Sequence, residues 1–231
     1  MRRSIFTLLL AGIFSCSANL IMAETTPAAP VKPAPATPVT PTAVAAPAAA
    51  TAQPQTPVNP ALAKYKKISP LELNGNIIKM VNKQWMLVTA GKADKFNSMT
   101  AGWGGIGVMW SKPVAFILVR NTRYTYEFLE REPNFTLTFF PEKCRQQLVM
   151  FGTKSGRNVD KVKESGFKPF DTGMGMAYEE ANIIIACKKI YAAPVTAENA
   201  INPDTATAKF LSGKDYHKLY FGEIVGVWIK Q

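Results

Sequence analysis

The chain has 231 residues, 47% of them hydrophobic, and carries 27 lysines and arginines against 16 acidic residues, a formal charge of +11. That is enough apolar material for one sizeable core, and one globular unit is the simplest count. The positive balance suits anionic ligands such as phosphate groups, and also acidic polymers and membrane surfaces. The aromatics do not alternate with a basic stripe, so no nucleic acid is expected as a partner.

Residues 1–23 open with Met1-Arg2-Arg3, continue with an apolar run from Ile5 to Ile13 and end at Ala23, the layout of a secretory signal peptide. The run falls short of the roughly 20 apolar residues a membrane-spanning helix needs. Export, most simply to a periplasm, is the expectation. Arg2-Arg3-Ser4-Ile5-Phe6 also fits a minimal twin-arginine pattern, a route that would export the protein folded. Cys16, after Ile13-Phe14-Ser15, loosely matches a lipoprotein cleavage box with Phe14 as a poor fit, and lipidation there is the one route to a membrane tether. Without Arg2 and Arg3 the chain keeps 25 basic and 16 acidic residues, or +9. Cleavage after Ala23 leaves Cys144 and Cys187, for which a disulfide is permitted in an oxidising compartment but not implied.

From residue 24 to 63 the sequence is almost wholly Ala, Pro, Thr, Val and Gln. Proline removes backbone donors and favours extended conformations, and large apolar groups are scarce, so a semi-rigid spacer is expected there. The folded domain is expected over 64–231. Within it Trp85–Thr89, Pro113–Val119, Asn134–Phe140, Asn182–Cys187 and Lys218–Val225 read as strands. Helices are expected over Thr122–Arg131, capped by Asn121 or Thr122, over Pro141–Phe151, and over Val159–Ser165 with a stop at Gly166. The result is a mainly β, α+β domain of barrel type.

Three segments carry donors suited to a flat or phosphorylated ligand. In Asn97-Ser98-Met99-Thr100-Ala101-Gly102-Trp103-Gly104-Gly105 the hydroxyls of Ser98 and Thr100 share one strand face, and glycines allow close backbone approach. The same segment also reads as a barrel corner with Trp103 in the core. Arg120-Asn121-Thr122-Arg123-Tyr124-Thr125 stands at the start of a helix, equipped for a phosphate and equally readable as a cap with solvated arginines. Thr153-Lys154-Ser155-Gly156-Arg157, followed by Lys161, repeats the donor-rich pattern. His217, the lone histidine, stands before the last strand without ligand company, so no metal site is expected. Neither a Gly-Lys-Ser/Thr phosphate loop nor a nucleophile elbow is present.

Taken in order, these segments resemble the flavin reductase family, and more closely its flavoredoxin-like branch, over about Leu71 to Val227. The resemblance rests on Asn97-Ser98-Met99-Thr100, on Lys112-Pro113 through Arg120 with Thr122-Arg123-Tyr124-Thr125-Tyr126, on Gly152 with Ser155-Gly156-Arg157, on Val159-Asp160-Lys161, and on His217 with Phe221-Gly222-Glu223. It implies an FMN-binding split β-barrel. Asn97, Ser98, Met99, Thr100 and Ala101 become ring and ribityl contacts. Arg120, Thr122, Arg123, Tyr124 and Thr125 become phosphate contacts, with Ser155, Gly156, Arg157 and Lys161 completing the set. It implies an NAD(P)H-dependent, flavin reductase-like oxidoreductase with His217 as a candidate orienting residue. The competing readings are a flavoredoxin-like electron carrier with an envelope redox partner, and a barrel that has lost flavin and serves as a binding module. A homodimer is expected from the family and because a flat cofactor on a small barrel needs a second wall. Asn158, where the branch often has an acidic residue, and the long segment 193–214 depart from the family pattern.

Overall fold

The computed structural model describes residues 59–201, 210–211 and 216–231. The expected signal peptide, Cys16 and residues 24–58 of the expected spacer lie outside the described residues. The chain enters the domain through a 3-10 turn, Pro60–Lys64, in which the Asn59 side chain accepts from Ala61 N at 3.0 Å. Ala61 and Leu62 are buried. The boundary expected between residues 63 and 64 therefore falls inside a packed element, because an Asn-Pro start and one leucine suffice for a capped turn even in Ala/Pro-rich surroundings.

The elements follow as β1 (Tyr65–Ile68), α1 (Ile77–Lys79) running into a π-helical turn (Met80–Gln84), β2 (Met86–Lys92), β3 (Lys95–Ala101), β4 (Gly104–Met109) and β5 (Lys112–Arg120). Next come α2 (Tyr124–Arg131), β6 (Asn134–Phe139), α3 (Arg145–Thr153), α4 (Lys161–Ser165), β7 (Pro169–Asp171), β8 (Met176–Tyr178), β9 (Ile183–Val195) and β10 (His217–Lys230). One antiparallel sheet runs β3-β2-β6-β9-β10-β5-β4, with β1 added to β10 and β7-β8 forming a separate hairpin. Its two end strands, β3 and β4, are joined by only Gly102 and Trp103, so the sheet must curl until its ends meet at that corner. Elsewhere the two ends stay unpaired, which gives a split barrel.

All five expected strands form, and the last two are longer than their apolar runs: β9 has 13 residues and β10 has 14. Register shifts at Phe221/Gly222 and Ile224/Gly226 bend β10 so that it serves β1, β5 and β9. Strand alternation sorts the apolar residues into two layers. Val88, Leu137, Ile185 and Ile117 fill the interior beneath Phe128 and Leu129 of α2. Leu87, Ile184 and Ala186 face outward onto Leu148, Phe151, Phe167 and Tyr178.

The helices start later than expected. α2 begins at Tyr124 with Arg123 at the cap position and no side-chain cap bond, not with Asn121 or Thr122 as the cap. A 3-10 turn, Glu142–Cys144, precedes α3. α4 is capped by Asp160, which accepts from Lys163 N at 3.0 Å, and ends at Gly166 with φ 70°. Cys144 and Cys187 are both buried and unbonded.

Candidate functional site

Two adjoining cavities of about 360 and 230 Å3 share Met99, Arg120 and Arg123, and together form one cleft bordered by β3, the end of β5 and the start of α2. Asn97, Met99 and Ala101 occupy one face of β3 and line this cleft. Asn97 Nδ2 donates to Thr125 Oγ1 at 2.7 Å, tying the strand to the first turn of α2. Ser98 and Thr100 share the opposite face, as alternation requires. Ser98 Oγ lies 2.7 Å from both Thr89 Oγ1 and the Tyr178 hydroxyl. Thr100 Oγ1 donates to Leu148 O at 2.5 Å. Both hydroxyls expected to meet a ligand are thus engaged in holding β3 to β2, β8 and α3, although Thr100 also borders the smaller cavity and Ser98 borders a third, of about 450 Å3, with Asn97, Gly156, Arg157 and Lys161.

The larger of the cleft's two cavities is the cationic end. The turn between β5 and α2 brings Arg120, Thr122, Arg123, Tyr124 and Thr125 to one wall, and Ser155, Gly156, Arg157 and Lys161 form the other. Arg123 Nη1 donates to Gly152 O at 2.8 Å, joining the walls. Arg157 donates to Thr122 O at 3.2 Å, pairs with Glu127 at 2.5 Å and lies 4.9 Å from the Tyr124 ring centroid. Lys154 pairs with Glu164 at 2.8 Å. With no cap bond from the Arg123 side chain, the first N–H groups of α2 add to the positive potential here. Gly156 is required by close approach, since a Cβ there would lie 2.0 Å from Asn97 Oδ1.

Lys161 is the unusual cation. Buried, it donates to Ser98 O at 3.0 Å and Phe151 O at 2.7 Å, and among the described residues it makes no ion pair. Burial, and then the nearby Arg123 charge, lower its pKa to about 8. An ammonium held this way has a third donor and a desolvation cost that an anion in the cleft would offset.

The smaller cavity carries the aromatic side chains Trp103, Phe210 and His217. His217, the first residue of β10, stands opposite Arg120 in register. Its ring centroid lies 4.9 Å from that of Trp103, which lies edge-on to Phe210 at 4.9 Å. Trp103 is 42% exposed, so it lines the cleft and is not core. Its three flanking glycines were a usable signal for exposure. Leu118 and Phe210 also border this end, and nothing in the sequence singled them out. Phe210 comes from a segment with no periodic pattern.

A family model described as the flavin reductase like domain matches residues 79–231. Among solved structures, an FMN-binding domain of a flavin reductases-like enzyme from Shewanella baltica is 17% identical with a TM-score of 0.52, covering 72% of this chain and 77% of its own. Flavoredoxin of Desulfovibrio vulgaris is 21% identical with a TM-score of 0.50, covering 64% and 69%. Flavoredoxin from Methanosarcina acetivorans is 19% identical with a TM-score of 0.50, covering 69% and 75%. At these identities the structures speak for the fold. No curated protein matches the sequence. The family model spans well over half of the chain, and strands β2 to β10, the cationic turn and His217 all fall within it: the chain belongs to the flavin reductase-like domain family.

Proposed function

We propose that the domain binds FMN in this cleft, phosphate at the cationic end and ring at the aromatic end, and serves as an exported, flavin reductase-like oxidoreductase. The observation that carries the reading is Lys161, a buried ammonium with two carbonyl partners and, among the described residues, no carboxylate partner, at the end of a cleft whose other end is aromatic. FMN when bound supplies the hydride or electron transfer, so no protein nucleophile is needed. The chain's own part is to hold, orient and shield. Arg120, Arg123 and Lys161 bind the phosphate, with the α2 N-terminus behind them. The Asn97–Thr125 bond keeps β3 aligned along the ribityl chain. Trp103 and Phe210 exclude water from the ring end, and His217 orients a nicotinamide donor.

The outer face of the sheet supports a homodimer. Phe116 and Phe221 pack at 5.4 Å, Tyr191 meets Phe221 at 6.2 Å, and none of the three is buried. Leu118 and Leu219 continue this face to His217 at the ring end. A twofold partner over it would cover the exposed Tyr191 and the half-buried Phe116 and Phe221 and wall the ring end from water. The signal-like residues 1–23 support export to a periplasm, with a membrane tether through Cys16 if that residue is lipidated.

Flavin titration tests the assignment. FMN should bind more tightly than FAD or riboflavin. Arg120→Ala and Arg123→Ala should each weaken FMN by roughly 10- to 150-fold, the equivalent of about 1.5–3 kcal/mol for a charge-assisted bond, and leave riboflavin affinity nearly unchanged. Unchanged FMN affinity in both variants removes the phosphate assignment. Anaerobic NADH and NADPH then separate the modes of action. Bleaching of the flavin supports the reductase. A flavin that bleaches only with an artificial donor points to an electron carrier with an envelope partner, and a chain without flavin affinity is a binding module.

A further inference from the structure

The corner where the two ends of the sheet meet rests on a strained residue. Trp85 has φ 66° and ψ 167°, a conformation glycine adopts freely and a bulky residue holds only when its surroundings impose it. It follows the π-helical turn Met80–Gln84, an irregularity that recurs at functional sites, and leads directly into β2, where Met86 pairs with Ala101.

Two contacts impose the conformation. The Arg145 guanidinium lies 4.3 Å from the Trp85 ring centroid and donates to Lys83 O at 2.6 Å and Gln84 O at 3.2 Å, so a single residue stacks on the indole and caps the turn that precedes it. The second contact is Gly102. A Cβ there would stand 3.1 Å from Trp85 Cδ1 and 3.4 Å from Nε1, so the indole occupies the space a side chain would need. Gly102 borders the ring end of the cleft with backbone atoms alone.

We propose that Trp85, clamped by Arg145, is a positioning residue that sets the Gly102 backbone against the flavin ring and thereby biases the balance between oxidised and reduced flavin; this rests on the FMN reading above. An ordinary backbone conformation at position 85 would redirect the indole away from Gly102. The strain is therefore tied to where that peptide sits, and peptide dipoles preorganised beside a ring discriminate between its charge states.

Three variants test this. Trp85→Gly accepts the backbone conformation without the indole, Arg145→Lys keeps the charge without the flat fork, and Trp85→Phe keeps a ring over Gly102. In the flavin-free protein, amide exchange at Gly102 and Trp103 should quicken about tenfold in Trp85→Gly and Arg145→Lys and stay near the parent rate in Trp85→Phe. With FMN, the ratio of affinities for oxidised and reduced flavin should change about tenfold in the first two, about 30 mV for a two-electron couple. The preference for FMN over riboflavin should not move, because the phosphate end is untouched. Parent-like exchange and potential in the folded variants overturn the proposal. A parent protein that binds no flavin overturns the FMN reading instead, and amide exchange then still decides whether Trp85 positions Gly102.

Discussion

The Asn97 amide donates to the Thr125 hydroxyl at 2.7 Å, across a gap of 28 residues in sequence, and so joins the end strand of the sheet to the first turn of the helix that heads the cationic wall. Both residues are buried, and Gly156 presses on the far side of Asn97. All three border the larger cavity of the cleft.

Gly156→Ala should displace Asn97, since the new methyl would sit 2.0 Å from Asn97 Oδ1 and 3.1 Å from Tyr124 Cδ1. The displaced amide would lose its bond to Thr125 and leave a buried donor short of a partner, a cost of about 1–3 kcal/mol. Thr125→Val should reproduce the loss without the clash. Chemical denaturation and FMN titration should fall together in both variants, and an unaltered denaturation midpoint for Gly156→Ala would mean that Asn97 has room to move.

Lys161 gives a pH dependence whose sign can be worked out. Its folded pKa of about 8 lies below the ordinary 10.5, so between these values the unfolded chain holds a proton that the folded chain has released. Stability of the flavin-free protein from this group therefore rises with pH across that window and is flat below it. A phosphate beside Lys161 reverses the preference by keeping the ammonium charged. FMN affinity should then decline above pH 8, approaching tenfold per pH unit, and Lys161→Met should remove that slope. Parallel slopes in the parent and Lys161→Met proteins would exclude Lys161 from the phosphate contacts.

The start of the domain is testable by truncation. A chain beginning at Asn59 should match the full-length protein in melting temperature and FMN affinity. One beginning at Tyr65 loses the capped turn and buried Leu62, worth about 1.5–3 kcal/mol of apolar burial, and should melt roughly 3–12 °C lower. Its FMN affinity should hold at temperatures where it is folded, since neither Ala61 nor Leu62 lines the cleft. Equal melting temperatures would mean the turn contributes nothing to stability.

Phe221→Glu tests the dimer face. Light scattering should give a dimer for the parent protein and a monomer for the variant, with weaker flavin retention because the ring end loses its second wall. A parent protein that is monomeric with FMN fully bound would rule the dimer out.

Sequence alone determined what depends on local pattern. Apolar runs such as Asn134–Phe140 marked strands because alternate side chains must be buried, and Gly166 marked the end of α4 because its left-handed conformation suits glycine. The ordered segments around Asn97, Arg120, Ser155 and His217 were legible as one set through the family resemblance, and the fold brings members of all four to one cleft. Tertiary structure decided which way each side chain turns. Ser98 and Thr100 share a face, as their spacing requires, but that face meets Tyr178 and Leu148, which lie 80 and 48 residues away. Trp103 stands exposed at the corner where the sheet's ends meet, and Trp85 holds a strained backbone with Arg145 stacked on its indole and Gly102 against it. Those outcomes depend on contacts between residues far apart in the chain, and no local periodicity encodes them.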